Sequence, residues 1–226
     1  MALHAPDPRP IRAASVEELH RLRLPAPPPQ FPLVWEPGDE VELRPTGEIE
    51  ARAAVLHLVL ARCFGMPAQA AMSWLLASHL VDLVTGPEWQ FVVAERGDRR
   101  SFVLHHDAIF ALSWLLGLSK HLDPTAPTDE RLIESLPHLP TGESFKAWRS
   151  RVLAAPRDAA EAAAMLDFYY CLDWAYLEVE RRGAAVPGVI DANAIGQRRW
   201  ALEWAVVFRG PYHDPPAGWE EIDLTT

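Results

Sequence analysis

The sequence predicts an all-α fold, a single-domain helical bundle around a central apolar helix with a Pro-rich N-terminal arm. Three observations predict it. Apolar residues after residue 46 recur with the helical period rather than with the alternation of strands. Residues that start and end helices fall at the borders of those periodic segments. Ten of the 21 prolines lie within the first 45 residues, where they exclude long helices. We therefore predict an arm over residues 1–38 and a helical domain over residues 39–226.

The arm is predicted to combine one short helix with an extended segment. Ser15 and Glu18 have capping-box spacing, which predicts a helix that begins after Ser15. Residues 24–29 are mostly proline, with preset φ angles and few N–H donors, so they favour a polyproline conformation. We interpret this run as a packed arm or a stiff leader. A ligand for an aromatic groove is the alternative, because the prolines also have the spacing that such grooves bind.

Eight helices are predicted after the arm. Thr46 is a candidate N-cap with two glutamates in the following turn, and Pro67 suits the first position of a helix. Thr85 and Glu88 have capping-box spacing. Residues 91–104 are interpreted as a loop, with a β-hairpin as the alternative. The predicted helices in chain order are 46–64, 67–80, a shorter one after Thr85, 101–116, 128–136, 141–152, 156–182 and 191–208.

The longest predicted helix is apolar on nearly all sides, which predicts a central position. Two aspartates interrupt its apolar surface, and the last helix carries two arginines and a glutamate among its apolar residues. A buried carboxylate is costly unless a cation or several donors accompany it. We therefore predict a polar cluster, or a possible ligand site, in which at least one aspartate meets an arginine across the two helices. Its members are Asp167, Asp173, Arg198, Arg199 and Glu203.

A structural role for this cluster competes with a chemical one. Asp167 and Asp173 are six residues apart, about 120° around a helix, so the two carboxylates do not converge as an acid–base pair would. We interpret them as polar residues that fix the packing of the core, and general acid or base chemistry is the alternative. Cys171, next to this cluster, is interpreted as a small core residue rather than a nucleophile.

Five separated segments carry a family likeness: VELRPTGEIEARAAVL, HDAIFALSWLLGL, LDFYYCLDWAY, VIDANAIGQRRWALEWAVV and the terminal WEEIDLTT. The matching positions are Leu166, Asp167, Tyr170, Trp174, Ala175, Arg198, Ala201, Leu202, Trp204, Trp219, Glu220 and Glu221. With these residues the chain resembles the bacterial domain of unknown function family numbered 4272. Asp173, Gln197 and Glu203 replace the family's usual His, Glu and Asn. The likeness covers about residues 39–224 and leaves the Pro-rich front outside. The resemblance implies no activity and no catalytic residues, because the family name records none.

The spacings of common catalytic and metal sites are absent from the sequence. Residues 105–107 are His-His-Asp, but contiguous residues of a helix point in different directions, and His79 with Asp82 supplies only two ligands. There is no His-Glu-x-x-His, Cys-x-x-Cys, Gly-x-Ser-x-Gly or phosphate-loop motif. We expect no catalytic residue, no metal and no cofactor.

Composition limits the partners and the compartment. The chain has 226 residues and a formal net charge of −10, which disfavours binding to nucleic-acid phosphates. Its longest apolar run is far shorter than the roughly 20 residues of a membrane span. Two cysteines without paired spacing favour a reducing compartment, so we expect a cytoplasmic protein. Most of the nine tryptophans are expected in the core.

Two functional hypotheses remain from the sequence. The first is a noncatalytic module that binds another protein, or a second copy of itself, through helix faces and the arm. One version is an immunity or antitoxin-like role, in which an acidic surface neutralises a basic enzyme. The second hypothesis is a small-molecule enzyme or ligand-binding protein that uses the predicted Asp/Arg cluster. An open pocket at the cluster would favour the second hypothesis, and a sealed core would favour the first.

Overall fold

The computed structural model describes residues 3–152, 154–186, 188–211, 213 and 215–225. This part of the chain is mostly helical, as the sequence predicts. The helices are α1 (Pro8–Arg21), α2 (Thr46–Cys63), α3 (Ala68–Ser78), α4 (Gly86–Ala94), α5 (Arg99–Val103), α6 (His105–Leu115), α7 (Phe145–Arg151), α8 (Ala159–Arg181) and α9 (Ala192–Ala205). Short 3₁₀ helices lie at Val81–Leu83, Glu130–Ser135, Leu139–Thr141 and Trp219–Glu221.

A small antiparallel sheet accompanies the helices and was not predicted. Its strands are β1 (Leu3–His4), β2 (Glu40–Leu43) and β3 (Val206–Arg209), in the order β1-β2-β3. Val41 of β2 lies opposite Phe208 of β3. The prediction that the last helix continues to residue 208 is therefore wrong beyond Ala205. The β-branched and aromatic residues at 206–208 favour a strand once β2 offers a backbone partner.

The N-terminal helix begins earlier than its capping-box spacing predicted. Asp7 is the N-cap, and its Oδ1 accepts a hydrogen bond of 3.1 Å from the backbone N–H of Arg9. Pro8 and Pro10 occupy the first turn, where a missing N–H costs nothing. Ser15 is consequently a buried residue in the middle of α1 and not its cap. Beyond α1, residues 22–38 contribute two buried side chains, Leu24 and Trp35.

Most other helices start close to their sequence signals. α2 covers nearly the predicted range, although Pro45 rather than Thr46 is its N-cap. The capping box at α4 is present: the Thr85 hydroxyl accepts a bond from the Glu88 N–H, and the Glu88 carboxylate accepts one from the Thr85 N–H.

Three other predictions differ in detail from the structure. The helix predicted over 101–116 is two helices, α5 and α6, and residues 130–135 form a 3₁₀ helix rather than an α-helix. The loop predicted over residues 91–104 is confined to residues 95–98, because α4 continues to Ala94 and α5 begins at Arg99, and these residues form no hairpin.

By its internal contacts the chain divides into two compact units. Unit 1 comprises Met1–Arg44, Leu122–Pro127 and Arg157–Thr226, and unit 2 comprises Pro45–His121 and Thr128–Pro156. In unit 1, α8 packs against α1 and α9 and contacts β2 and β3. In unit 2, α2 packs against α3, α4, α5, α6 and α7, and every one of its residues from Ile49 to Leu60 is buried.

The tryptophans lie mainly in these cores, as the sequence predicts. Six of the nine are buried: Trp35, Trp74, Trp114, Trp148, Trp204 and Trp219. Several of their indole N–H groups donate to backbone carbonyls, such as that of Trp148 to Ser135 at 2.8 Å. Each buried indole therefore fills a large volume while its polar atom stays bonded.

Candidate functional site

Three of the five predicted cluster residues lie together in unit 1. Arg199 of α9 is the central cation. Its Nη1 lies 2.7 Å from Oδ2 of Asp173 on α8, and its Nε lies 3.0 Å from Oε1 of Glu203. The same Nη1 donates to the carbonyl of Leu224 at 3.3 Å. Asp173 and Arg199 are both buried, so this ion pair joins α8 to α9 away from water.

Asp167 has different partners from those that the sequence suggested. Arg12 of α1 donates to it through Nη2 at 2.8 Å and through Nε at 3.0 Å, and the Ser15 hydroxyl donates to it at 2.7 Å. The Arg12 guanidinium also donates to the carbonyl of Pro32 at 3.0 Å. This second half of the cluster joins α1 to α8. Sequence reasoning missed Arg12 and Ser15, although their i, i+3 spacing would have indicated a shared face if α1 had been started at Pro8.

Arg198 does not join either aspartate. Its Nη1 donates to the carbonyl of Asp123 at 2.6 Å, and its Nη2 donates to that of Ala126 at 3.0 Å. The side chain is fully buried. Arg198 therefore attaches the segment 122–127, which belongs to unit 1, to helix α9.

Tyr170 of α8 lies next to both halves of the cluster. The guanidinium carbon of Arg199 is 4.6 Å from the centre of its ring, and that of Arg12 is 5.6 Å from it. Cation–π contacts of this kind are stabilising, more so where water is excluded. Burial raises the pKa of the Tyr170 hydroxyl above its usual value. The ring thus contacts two cations that hold separate carboxylates.

The protonation behaviour of the cluster is that of a buried site. Burial raises the pKa of Asp173, and the hydrogen bond from Arg199 opposes this shift. Burial likewise raises the pKa of Glu203. The pKa of the Cys171 thiol is raised to about 12, first by burial and then by the charge of Asp167. A thiol with so high a pKa is a poor nucleophile, in agreement with a core role.

Solvent reaches the cluster at Glu203. Its side chain is 24% exposed, whereas Asp167, Asp173, Arg198 and Arg199 are buried. Glu203 lines a cavity of about 310 Å³ together with Pro215, Pro216, Glu221, Ile222 and Asp223.

In the part of the chain that the structure describes, no group of three or more His, Cys, Asp or Glu is arranged to hold a metal ion. Nor does any described helix have the length and hydropathy that a bilayer crossing requires.

A second feature of unit 1 is an apolar groove between α1 and α8, which we call the α1–α8 groove. Its volume is about 300 Å³. Both helices contribute residues at i, i+3, i+4 and i+7: Ile11, Ala14, Ser15 and Glu18 from α1, and Glu161, Ala164, Met165 and Phe168 from α8. Six of these eight residues are apolar or small, and the two glutamates are the last residue of the α1 stripe and the first residue of the α8 stripe. The groove is therefore a shallow channel with negative charge at its margin.

These features define a mostly helical protein with a buried ionic cluster and an apolar groove along one helix pair. The chain belongs to the family described as Domain of unknown function (DUF4272), whose model matches residues 12–222. The match begins within α1, so the expectation that the Pro-rich front lies outside the likeness is wrong for residues 12–38. No curated protein and no solved structure gives a significant match to the chain.

Proposed function

We propose that this protein is a noncatalytic interaction module that binds a basic amphipathic helix of another protein in the α1–α8 groove. The observation that carries the proposal is the groove itself, with matched i, i+3, i+4, i+7 stripes on two neighbouring helices. An amphipathic helix binds such a channel through apolar anchors with the same spacing. Each stripe spans eight residues and extends about 10 Å along its helix, enough for two turns of a partner helix.

The charge distribution favours a basic partner. Unit 1 carries 11 Lys and Arg against 20 Asp and Glu, whereas unit 2 carries 10 against 11. The groove thus belongs to the unit that holds nearly all of the net negative charge. Complementary charge accelerates encounter and selects against acidic competitors.

The two glutamates at the groove are available to such a partner. Glu18 is paired with Arg21 at 2.6 Å and Glu161 with Arg157 at 3.5 Å. Exposed pairs of this kind contribute only about 0–1 kcal/mol. A Lys or Arg of the partner can therefore replace either intramolecular cation at little cost.

The buried cluster supports the groove from beneath. Ser15 lines the groove and donates its hydroxyl to Asp167, whose other oxygen is bonded to Arg12. These bonds join α1 to α8 next to the residues that line the groove. A structural role for Asp167 and Arg12 is consistent with a noncatalytic protein. Separately, the two buried free cysteines are consistent with a reducing compartment such as the cytoplasm. Within this proposal, the charge pattern favours an immunity-like role, in which the protein binds and neutralises a basic enzyme.

The test uses a display library of amphipathic helices of about 14 residues, or four turns. One half of the library carries Lys and Arg on the polar face and the other half carries Glu. We expect basic helices to be enriched. Binding is expected to be lost in Ala14→Arg, which fills the groove, and kept in Ala13→Arg, an exposed alanine of α1 outside the groove.

Three results would contradict the proposal. Enrichment of acidic helices would refute the charge argument, and equal binding to the Ala13 and Ala14 variants would refute the groove. A dimer that Ala14→Arg converts to a monomer in sedimentation analysis would show that a second copy of the chain occupies the groove instead. Melting temperatures of both variants establish that each is folded.

One observation favours the small-molecule alternative. Glu203, which is bonded to Arg199, lines the cavity of about 310 Å³. A ligand there would contact the Asp/Arg cluster only through this carboxylate. Ligand binding that is abolished by Glu203→Gln and unaffected by Ala14→Arg would support this alternative.

A further inference from the structure

A polar cavity lies in unit 2, at the start of α2 and along α7. Its volume is about 460 Å³, within the usual range of small-molecule sites. Acidic, basic, hydroxyl and apolar groups all line it. The lining residues are Thr46, Glu50, Phe145, Lys146, Arg149, Ser150, Val152 and Ala154.

A buried carboxylate with unused acceptor capacity lies in this cavity. The Glu50 side chain is only 7% exposed, and its Oε2 is 2.6 Å from Nε of Arg149. The contact lacks hydrogen-bond geometry, and Oε2 accepts no hydrogen bond from any described residue. A buried charged oxygen without a bonded donor is costly. Glu50 also lines the cavity, so its carboxylate can accept a hydrogen bond from a donor that enters it.

The rest of the cavity is positively charged. The Arg149 side chain is 48% exposed and lies over the ring of Phe145, 5.6 Å from its centre. It also lies beside the first turn of α2, since a Cβ built on Gly47 would be 3.7 Å from its Nη2. Pro45, the N-cap of α2, offers no side-chain cap to this turn. Lys146 adds a second cation. An anionic group is favoured where two cations meet the positive end of a helix dipole.

We infer that this cavity binds a small zwitterion, a free α-amino acid. Its ammonium group donates to the Glu50 carboxylate, which lines the cavity, and its own carboxylate lies between Arg149, Lys146 and the first turn of α2. The side chain of the ligand packs against Phe145 and Val152, so an apolar amino acid is preferred.

Ligands of one charge fit the cavity less well. An inorganic anion would meet the Glu50 carboxylate, and a simple amine would meet the two cations.

Titration calorimetry with each of the twenty free L-α-amino acids tests this site on the full chain. We expect at least one apolar amino acid to bind with a Kd below about 10 mM. Its N-acetyl derivative and its amide are each expected to bind at least tenfold more weakly, which corresponds to about 1.4 kcal/mol. If none of the twenty binds, or if either blocked derivative binds as well as the free amino acid, the inference is wrong. Inorganic phosphate is the control for simple anion binding, and equal affinity for it also refutes the inference.

Two variants and one matched control assign the binding to this cavity. Glu50→Gln keeps the size of the side chain and removes its charge, and Lys146→Gln removes the cation of an exposed side chain. Each is expected to weaken binding at least tenfold. Arg131→Gln changes an exposed cation of unit 2 outside the cavity and is expected to bind as the parent does. If Glu50→Gln fails to fold, Lys146→Gln alone decides, and unchanged affinity there refutes the site.

Discussion

Acidification from pH 7 to pH 5 is expected to destabilise unit 2 because His57 of α2 must stay neutral there. The side chain is 6% exposed, and its Nε2 lies 3.1 Å from the carbonyl of Pro137, to which the neutral ring donates. Its Nδ1 has no hydrogen-bond partner in the part of the chain that the structure describes. Burial lowers the pKa of His57 to about 4, the bond to Pro137 opposes this shift, and the charges of His106 and His138 add to it.

The size of the effect follows from proton linkage. The unfolded chain takes up a proton at His57 near pH 6.5, whereas the folded chain does so near pH 4. The unfolded state therefore binds more protons between these values. The stability that neutral His57 contributes is complete above pH 6.5 and is lost as the pH falls from 6.5 to 4. Linkage gives a loss of about 2 kcal/mol between pH 7 and pH 5 from this residue.

Urea unfolding of the parent and of His57→Gln at pH 7, 6 and 5 measures the contribution of His57 to the pH dependence of the free energy of unfolding. Glutamine can donate its amide N–H toward Pro137 and does not titrate in this range. We expect the free energy of unfolding to fall by about 2 kcal/mol more in the parent than in the variant. His105, whose pKa burial also lowers to about 4, is present in both proteins, so its contribution cancels. His121→Gln, at an exposed position, is the control. Parallel pH profiles for the parent and His57→Gln would refute the reasoning, as would protonation of His57 near pH 6.5 in a histidine NMR titration.

Three smaller perturbations test the packing of the two units. Asp167→Asn leaves the Arg12 guanidinium without its charge partner and is expected to lower the free energy of unfolding by about 2–3 kcal/mol in urea titrations; a loss below about 0.5 kcal/mol would contradict a supporting role for this pair. Glu17→Gln, which removes an exposed carboxylate, should change stability by less than about 0.5 kcal/mol in the same assay. Gly117→Ala is expected to lower the melting temperature, because φ is +74° and the new Cβ would lie 2.3 Å from the carbonyl oxygen of Ala155; an unchanged melting temperature would mean that this turn adjusts freely.

Much of the helical framework could be predicted because its signals are local. The Thr85 and Glu88 capping box needs only residues three apart, and it is present in the structure. The range of α2 follows from periodic apolar residues and from Gly65, which has the positive φ of +96° beyond the helix end. These interactions span a few residues of chain, so sequence contains both members of each.

The sheet and half of the ionic cluster depend on residues far apart in the chain. Asp167 is bonded to Arg12, 155 positions away. Residues 206–208 are a strand because β2, near the front of the chain, pairs with them. The helix-like pattern of residues 206–208 does not reveal that β2, far away in the sequence, offers a strand edge with which they can pair. For the same reason the sequence does not reveal that α1, at the front of the chain, packs against α8 in unit 1.

The sequence by itself determined where most helices lie and that two carboxylates on an apolar helix need charged partners. The i, i+4 spacing of Arg199 and Glu203 on one helix also favours the ion pair that these residues form. Only the tertiary structure decided that Asp173 is paired with Arg199 and Asp167 with Arg12. The physical reason is that any nearby guanidinium can neutralise a buried carboxylate. The choice among several arginines is made by how α1 and α9 pack along α8, which depends on many apolar contacts at once.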